Sequence, residues 1–291
     1  MKKVDIFLRD PFVLVHGGKY FLYGTRSETA FVGEAYGFDV YTSTDLENWD
    51  GPFEVFHRPE NFFSKKSYWA PEVHFYNGRF YMLATFADTK RGLGTAVLAA
   101  DSPMGPFALW SNGYVTPKAD RCLDGTLYLS REGTPYLVYC HEWRQIHDGT
   151  VCAIRMRPDL KESVGEPFVL FHASQAKPYV KRYMLFNYVT DGPFLKRTPD
   201  GKLHLLWSTY TANGYAEVTA NSDNEEITGH WLPDDTPLYG RDGGHGMIFE
   251  DLNGKPCLAL HYPNTFKKEH PCFLPLHYNG GKFLLGEADN G

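Results

Sequence analysis

Apolar residues along this chain gather in short runs. No stretch of about 11 residues or more keeps the i, i+3, i+4, i+7 apolar stripe of an amphipathic helix. Runs rich in Val, Leu, Tyr, Phe and Trp are instead bounded by Gly, Asn and Asp, which is how strands and tight turns read. Five of these runs share one pattern. Asp10-Pro11-Phe12-Val13-Leu14-Val15 turns at Gly17-Gly18 into Tyr20-Phe21-Leu22-Tyr23. Pro71-Glu72-Val73-His74-Phe75-Tyr76 turns at Asn77-Gly78, and Asp124-Gly125-Thr126-Leu127-Tyr128-Leu129 at Glu132-Gly133. Asp191-Gly192-Pro193-Phe194-Leu195 turns at Asp200-Gly201, and His245-Gly246-Met247-Ile248-Phe249 at Asn253-Gly254.

Asn-Gly and Asp-Gly supply the positive φ that tight hairpin turns require, so each segment predicts a hairpin. A third strand follows in four of them, at Phe38-Asp39-Val40-Tyr41, Thr95-Ala96-Val97-Leu98, Thr150-Val151-Cys152-Ala153 and Tyr215-Ala216-Glu217-Val218. The heads of the repeats, at positions 10, 72, 124, 191 and 245, leave room for one four-stranded sheet each. Five such sheets around an axis make an all-β, five-bladed β-propeller, which hides its sheet edges by closing the ring. A β-sandwich would leave five matching copies unexplained. No linker or low-complexity segment interrupts the pattern, so residues 1–291 are expected to form a single domain.

Composition narrows the function. With 29 Lys and Arg against 35 Asp and Glu, the net charge of −6 lacks the basic field that phosphate backbones require, so no nucleic-acid partner is expected. Charges at Lys2, Lys3, Asp5, Arg9 and Asp10 interrupt the apolar core that a secretory leader needs, and no run reaches the roughly 18 apolar residues of a membrane-spanning helix. A cytoplasmic protein with no membrane partner is the expectation. Five widely spaced cysteines without a C-x-x-C read as reduced, mostly buried thiols. Aromatic residues make up 16% of the chain, more than turns and hairpins alone call for.

The first strand of a propeller blade lines the central channel, so the residues heading the repeats, Asp10, Glu72, Asp124, Asp191 and His245, are expected to converge near one mouth of it. Carboxyls that close cannot all ionise at their usual pKa, and carboxyls driven to different pKa values are what general acid/base chemistry uses. Taken singly, an Asp before Gly or Pro is also an ordinary turn former. His245, between Gly244 and Gly246, is either an ion ligand or a structural histidine.

Arg9-Asp10-Pro11, Tyr68-Trp69-Ala70-Pro71-Glu72, Leu123-Asp124-Gly125, Thr190-Asp191-Gly192-Pro193-Phe194-Leu195 and Gly243-Gly244-His245-Gly246, in this order, resemble the five-bladed glycoside hydrolases of family 43. The resemblance touches every blade and implies an inverting hydrolase of the α-L-arabinofuranosidase, β-xylosidase or arabinanase type. It implies Asp10 as general base, Asp124 as the residue that tunes and orients the acid, and an axial ion, commonly calcium, on His245; no organic cofactor is implied. The family's blade-four motif usually reads Glu-Gly-Pro, whereas Asp191-Gly192-Pro193 carries a carboxyl one methylene shorter. Asp191 is the expected acid, with Glu142 and Glu72 as the alternatives. His141-Glu142 is no zinc signature, because position 145 is Gln where a second His is required.

Sugar rings present C–H faces that pack against aromatic rings, which makes Trp69, Trp143, Phe194 and Tyr210 candidates for substrate contact; core packing is the competing role for each. Arg9, Arg26 and Arg144 are candidates for binding hydroxyls or steadying a carboxylate, and Glu72 and Glu142 for sugar hydroxyls. The expected function is inverting hydrolysis of pentose-containing plant glycans or their oligosaccharides. The alternatives are a carbohydrate-binding propeller that has lost catalysis, for which the shortened acid speaks, and a scaffold that binds protein through its rim.

Overall fold

The structure, a computed structural model, describes residues 1–90, 92–176 and 179–286. Five four-stranded antiparallel sheets follow one another along the chain, each with its strands in sequential order. Blade one holds β1 (Leu8–His16), β2 (Lys19–Arg26), β3 (Gly37–Ser43) and β4 (Asp50–His57); blade two holds β5 (Lys66–Tyr76), β6 (Arg79–Asp88), β7 (Gly92–Ala100) and β8 (Ala108–Tyr114). Blade three holds β9 (Cys122–Leu129), β10 (Pro135–His141), β11 (Thr150–Met156) and β12 (Ser163–His172). Blade four holds β13 (Asp191–Arg197), β14 (Leu203–Thr211), β15 (Gly214–Ser222) and β16 (Trp231–Pro233). Blade five holds β17 (Gly244–Glu250), β18 (Pro256–Tyr262), β19 (His270–Asn279) and β20 (Lys282–Leu285). The predicted five-bladed propeller is therefore the observed fold, and each predicted hairpin is the first pair of a blade.

Large side chains weld neighbouring blades together. One cluster joins blades five, one and two through residues such as Met247, Phe249, Phe12, Phe38, Phe56 and Phe86. Others join two to three through Leu83, Val97, Cys122 and Tyr139, three to four through Val138, Phe171 and Trp207, and four to five through Leu206, Ile248 and Leu258. A fully buried side chain of this size contributes about 1.5–3 kcal/mol, so the ring closes on apolar contact without a strand shared between the two ends of the chain. The Leu8 N–H donating to the Glu269 carbonyl at 3.0 Å reinforces the seam between blades one and five.

All five inner strands carry a bulge at the same place. Their pairing with the second strand slips between Arg9 and Phe12, Trp69 and Glu72, Leu123 and Thr126, Asp191 and Phe194, and Gly244 and Met247. The first bulged residue has positive φ in every blade: Asp10 at 52°, Ala70 at 45°, Asp124 at 56°, Gly192 at 54° and His245 at 53°. This corrects the expected register of the repeats. The structural equivalents of Asp10 are Ala70 and Gly192, and Glu72 and Asp191 sit two residues after and one residue before those points. The shared feature is the bulge and the Pro or Gly that follows it, not a carboxyl at the head of each strand.

Candidate active site

The bulges are stitched to one another from blade to blade. Second-strand residues opposite the bulges, Thr25, Thr85, Ser208 and His261, each accept the N–H of the positive-φ residue of the next blade. Ala70 N–H donates to Thr25 Oγ1 at 2.7 Å, Asp124 N–H to Thr85 Oγ1 at 2.8 Å, His245 N–H to Ser208 Oγ at 2.6 Å and Asp10 N–H to His261 Nδ1 at 3.2 Å. Blade three has Cys140 at this position, and there the Gly192 N–H donates to the Asp124 carboxylate at 3.1 Å instead. Non-glycine residues held at positive φ are strained, and strain of this kind persists where the surroundings over-determine it.

A cavity of about 680 Å³ opens over this ring, within the range of small-molecule sites. Asp10, Asp124, Asp191 and His245 line it together with Arg9, Trp69, Glu142, Trp143, Tyr210 and Tyr215. His245 Nδ1 lies 3.3 Å from Asp10 Oδ1 and 3.9 Å from Asp124 Oδ2, so the imidazole bridges carboxyls from blades one and three. The Tyr215 hydroxyl donates to Asp191 Oδ2 at 3.0 Å, and the Thr25 hydroxyl to Asp10 Oδ2 at 2.6 Å.

The family model of glycosyl hydrolases family 43 matches residues 4–283. The chain belongs to this family. An endo-arabinase of Bacteroides thetaiotaomicron is 37% identical in sequence, with a TM-score of 0.90 over 97% of this chain and 99% of its own. An endo-1,4-β-xylanase of the same organism is 21% identical and shares the fold, with a TM-score of 0.78 over 99% of this chain and 97% of its own. A non-reducing-end α-L-arabinofuranosidase of Bacteroides ovatus is 32% identical over 101 residues, which is 32% of this chain and only 19% of that protein. This family-43 glycoside hydrolase is thus an enzyme of glycan hydrolysis built on a five-bladed propeller.

Within the site, Asp10 is shifted down while Asp191 and Asp124 are both shifted up. Burial would raise the Asp10 pKa, but the charges of His245 and Arg9 and the Thr25 hydrogen bond outweigh it and hold Asp10 at about 2. Burial raises Asp191, and the proximity of Asp10 adds to it, against the pull of His245 and Tyr215. Burial likewise raises Asp124, with Asp191 and Asp10 contributing in the same direction. His245 is raised: burial opposes its charge, and Asp10, Asp124 and Asp191 together overcome that. His261 moves the other way, to about 3, through burial and the Arg9 charge, so its ring is neutral. That suits Nδ1 accepting the Asp10 N–H.

The remaining expected site residues divide. Arg9 lines the cavity and is anchored by Glu269 Oε1 and by Asn264 Oδ1 at 3.1 Å. Trp69 lines it with its indole N–H donated to the Ala30 carbonyl, and Tyr210 lines it stacked on Tyr183 at 4.2 Å. Trp143 packs edge-on against Tyr183 at 5.6 Å, with the Arg144 guanidinium 5.0 Å over the indole. Glu142 faces the cavity with one oxygen committed to Arg121 Nε. Glu72 and Phe194 are not in the site. Both follow the bulge and point into the channel beneath it, where Glu72 pairs with His74 at 3.0 Å and Phe194 packs edge-on to Phe12. Arg26 is also elsewhere, paired with Asp39 and Glu54.

Side chains alone do not make a full cage for the axial ion expected at His245, whose shell would need water or backbone oxygens. Among the described residues no group of three or more His, Cys, Asp or Glu is arranged to hold a metal, whereas calcium takes six to eight oxygen ligands. His245 Nδ1, moreover, is turned toward carboxylates. Sequence reasoning missed Tyr215, His261, Asn264, Arg121 and Tyr183. Thr25, Thr85, Ser208 and His261 had a signal: they recur near the end of the second strand of their repeats. Tyr215 and Asn264 had none, because loops and outer strands bring them in.

Proposed function

We propose that this enzyme is an inverting exo- or endo-acting hydrolase of α-L-arabinofuranosyl linkages in arabinan-type oligosaccharides, with Asp10 as general base, Asp191 as general acid and Asp124 as modulator. The observation that carries the reading is two carboxyls over one cavity whose surroundings shift them in opposite directions. Asp10 is shifted down and stays ionised to take a proton from water, while Asp191 is shifted up to about 6 and is the carboxyl better able to carry a proton to the leaving oxygen. Asp124 accepts the Gly192 N–H and so fixes the peptide that carries Asp191, and because both carboxyls are raised, ionisation of either one favours the proton on the other. Glu142 is the weaker candidate for the acid, because its oxygen is tied to Arg121. The identity to an endo-arabinase across nearly the whole chain favours arabinofuranosyl over xylosyl glycones.

In the proposed step, Asp10 deprotonates a water on one face of the anomeric carbon as the C–O bond to the leaving sugar breaks on the other face. Asp191 passes its proton to that oxygen, and the released sugar carries the inverted anomeric configuration. Arg9, held by Glu269 and Asn264, is placed to bind a sugar hydroxyl, and Trp69, Trp143 and Tyr210 offer ring faces. Proton NMR during incubation with α-1,5-arabino-oligosaccharides and, separately, xylo-oligosaccharides tests this. The expected result is release of arabinose units whose first anomer is β. First appearance of the α anomer refutes inversion; preferential xylose release refutes the glycone; turnover of neither favours a binding propeller.

A further inference from the structure

We propose that Tyr215 is the positioning residue that aims the Asp191 carboxyl at the leaving-group oxygen. The proposal rests on the reading of Asp191 as the acid and goes beyond it. Tyr215 is 2% exposed, and its hydroxyl donates to Asp191 Oδ2 at 3.0 Å. Its ring is clamped on two sides. It stacks on the neutral His261 ring at 5.7 Å and 19°, and it lies so close to Gly244 that a Cβ there would sit 2.8 Å from Tyr215 Cε1. The phenol therefore has one available position, and its hydroxyl is a fixed point.

That fixed point matters because Asp191 is short. An Asp carboxyl is placed by its backbone and two torsions, and a half-turn of the second, the rotation of the carboxyl plane, exchanges the two oxygens. The backbone is held from one side, where the Gly192 N–H donates to Asp124. The carboxyl plane is held from the other, where Oδ2 accepts from Tyr215. With Oδ2 engaged as an acceptor, the acidic proton resides on Oδ1, the oxygen free to face the substrate. His261 also accepts the Asp10 N–H, so a single buried pair, His261 and Tyr215, touches both the proposed base and the proposed acid.

The test separates acid alignment from general structural support. Tyr215→Phe removes one oxygen from a buried ring and leaves the packing intact. Two arabinofuranosides are compared: one with a 2,4-dinitrophenolate leaving group, which departs without a proton, and an arabino-oligosaccharide, which needs one. Y215F is expected to lower kcat on the oligosaccharide by about 10- to 100-fold, part of the roughly 10²–10⁴-fold that general acid catalysis supplies, with KM little changed. Turnover of the dinitrophenyl substrate is expected to change by less than about threefold, because that leaving group draws on no general acid. The double variant D191N/Y215F is expected to be no slower than D191N alone, since Tyr215 acts through Asp191. Equal losses on both substrates in Y215F, or a double variant slower than D191N, overturn the role of Tyr215. If D191N itself does not distinguish the two leaving groups, Asp191 is not the acid and both readings fall.

Discussion

Replacing Glu217 with Gln is expected to change stability by an amount that grows with pH. Glu217 is fully buried beneath the site. Its Oε2 accepts from Ser208 Oγ at 2.6 Å and from the Gly246 N–H at 2.9 Å, and its Oε1 has no hydrogen-bond partner. Burial outweighs these bonds and the nearby His245 charge and pushes the pKa from 4.5 up to about 8. Between those values the folded protein keeps a proton that the unfolded chain has lost, so wild-type stability falls as pH rises through this window. At about 1.4 kcal/mol per unit, the loss from this group is very small near pH 4 and reaches about 3–5 kcal/mol by pH 8. Gln keeps the acceptor and cannot titrate, while its extra N–H beside the unpartnered position costs about 1–3 kcal/mol at every pH. The difference in unfolding free energy, E217Q minus wild type, is therefore expected to rise by about 3 kcal/mol from about pH 5 to about pH 8, with the variant less stable at the acid end and more stable at the alkaline end. For a chain of this size that is roughly 5 °C in Tm, read from melting curves of both proteins in matched buffers. Titrations of groups that do not interact with Glu217 cancel in the difference. A Tm offset that stays constant across this range would show that Glu217 is not held protonated and would refute the reasoning.

Further outcomes follow from the same geometry. Asp10→Asn is expected to lower kcat by at least about 10²-fold on both dinitrophenyl and oligosaccharide substrates, because water activation is needed for each; calorimetric binding of an oligosaccharide should persist, and retained turnover would remove the base assignment. Asp124→Asn keeps an acceptor for the Gly192 N–H but removes the titrating partner whose ionisation favours the proton on Asp191. The basic limb of the kcat–pH profile is therefore expected to move to lower pH, and an unmoved limb would count against tuning. Gly192→Ala places a Cβ 2.8 Å from the His245 ring at a φ of +54°. It is expected to lower Tm and kcat together, since the left-handed backbone alone costs about 1–2 kcal/mol and the imidazole must move as well. A variant as stable and active as the parent would show that the ring has room to give.

The fold was legible because its signals are local. Asn77-Gly78, Asp200-Gly201 and Asn253-Gly254 mark three hairpins, Gly17-Gly18 and Glu132-Gly133 mark two more, and five hairpins in register imply a closed ring. The site was legible only in part, and the reason lies in what repeats. Aligning the blades on their first carboxyl picks out Glu72 and Asp191. Aligning them on the residue before Pro or Gly picks out Asp10-Pro11, Ala70-Pro71, Asp124-Gly125, Gly192-Pro193 and His245-Gly246, which is the alignment the bulges follow. A carboxyl is a functional decoration on that frame, so it drifts by a residue or two from blade to blade. Asp10, Asp124 and His245 were found because they occupy the frame itself. Asp191 was found one step off it, and Glu72 and Phe194 were misplaced because a shift of register sends a side chain from the cavity into the channel. Tyr215, Asn264 and Glu269 are brought in by strands and loops whose approach is set by packing between sheets, and no short-range pattern announces that.

The second residue of each bulge explains why Glu217 is buried at all. A bulge leaves the N–H of its second residue outside the ladder, and a buried N–H without a partner is costly. Pro11, Pro71 and Pro193 meet this by having no N–H to satisfy. Gly125 and Gly246 keep theirs, and each is given an acceptor from the blade before it: Thr95 Oγ1 at 3.2 Å for Gly125 and Glu217 Oε2 at 2.9 Å for Gly246. Blade five cannot use Pro here without removing the bond that holds the peptide after His245. That peptide, with the Ser208 bond before it, clamps a histidine at positive φ between the Asp10 and Asp124 carboxyls. Glu217 thus supplies the acceptor that a proline would make unnecessary, and keeping a carboxylic acid protonated in the core is the cost of fixing His245 from both sides.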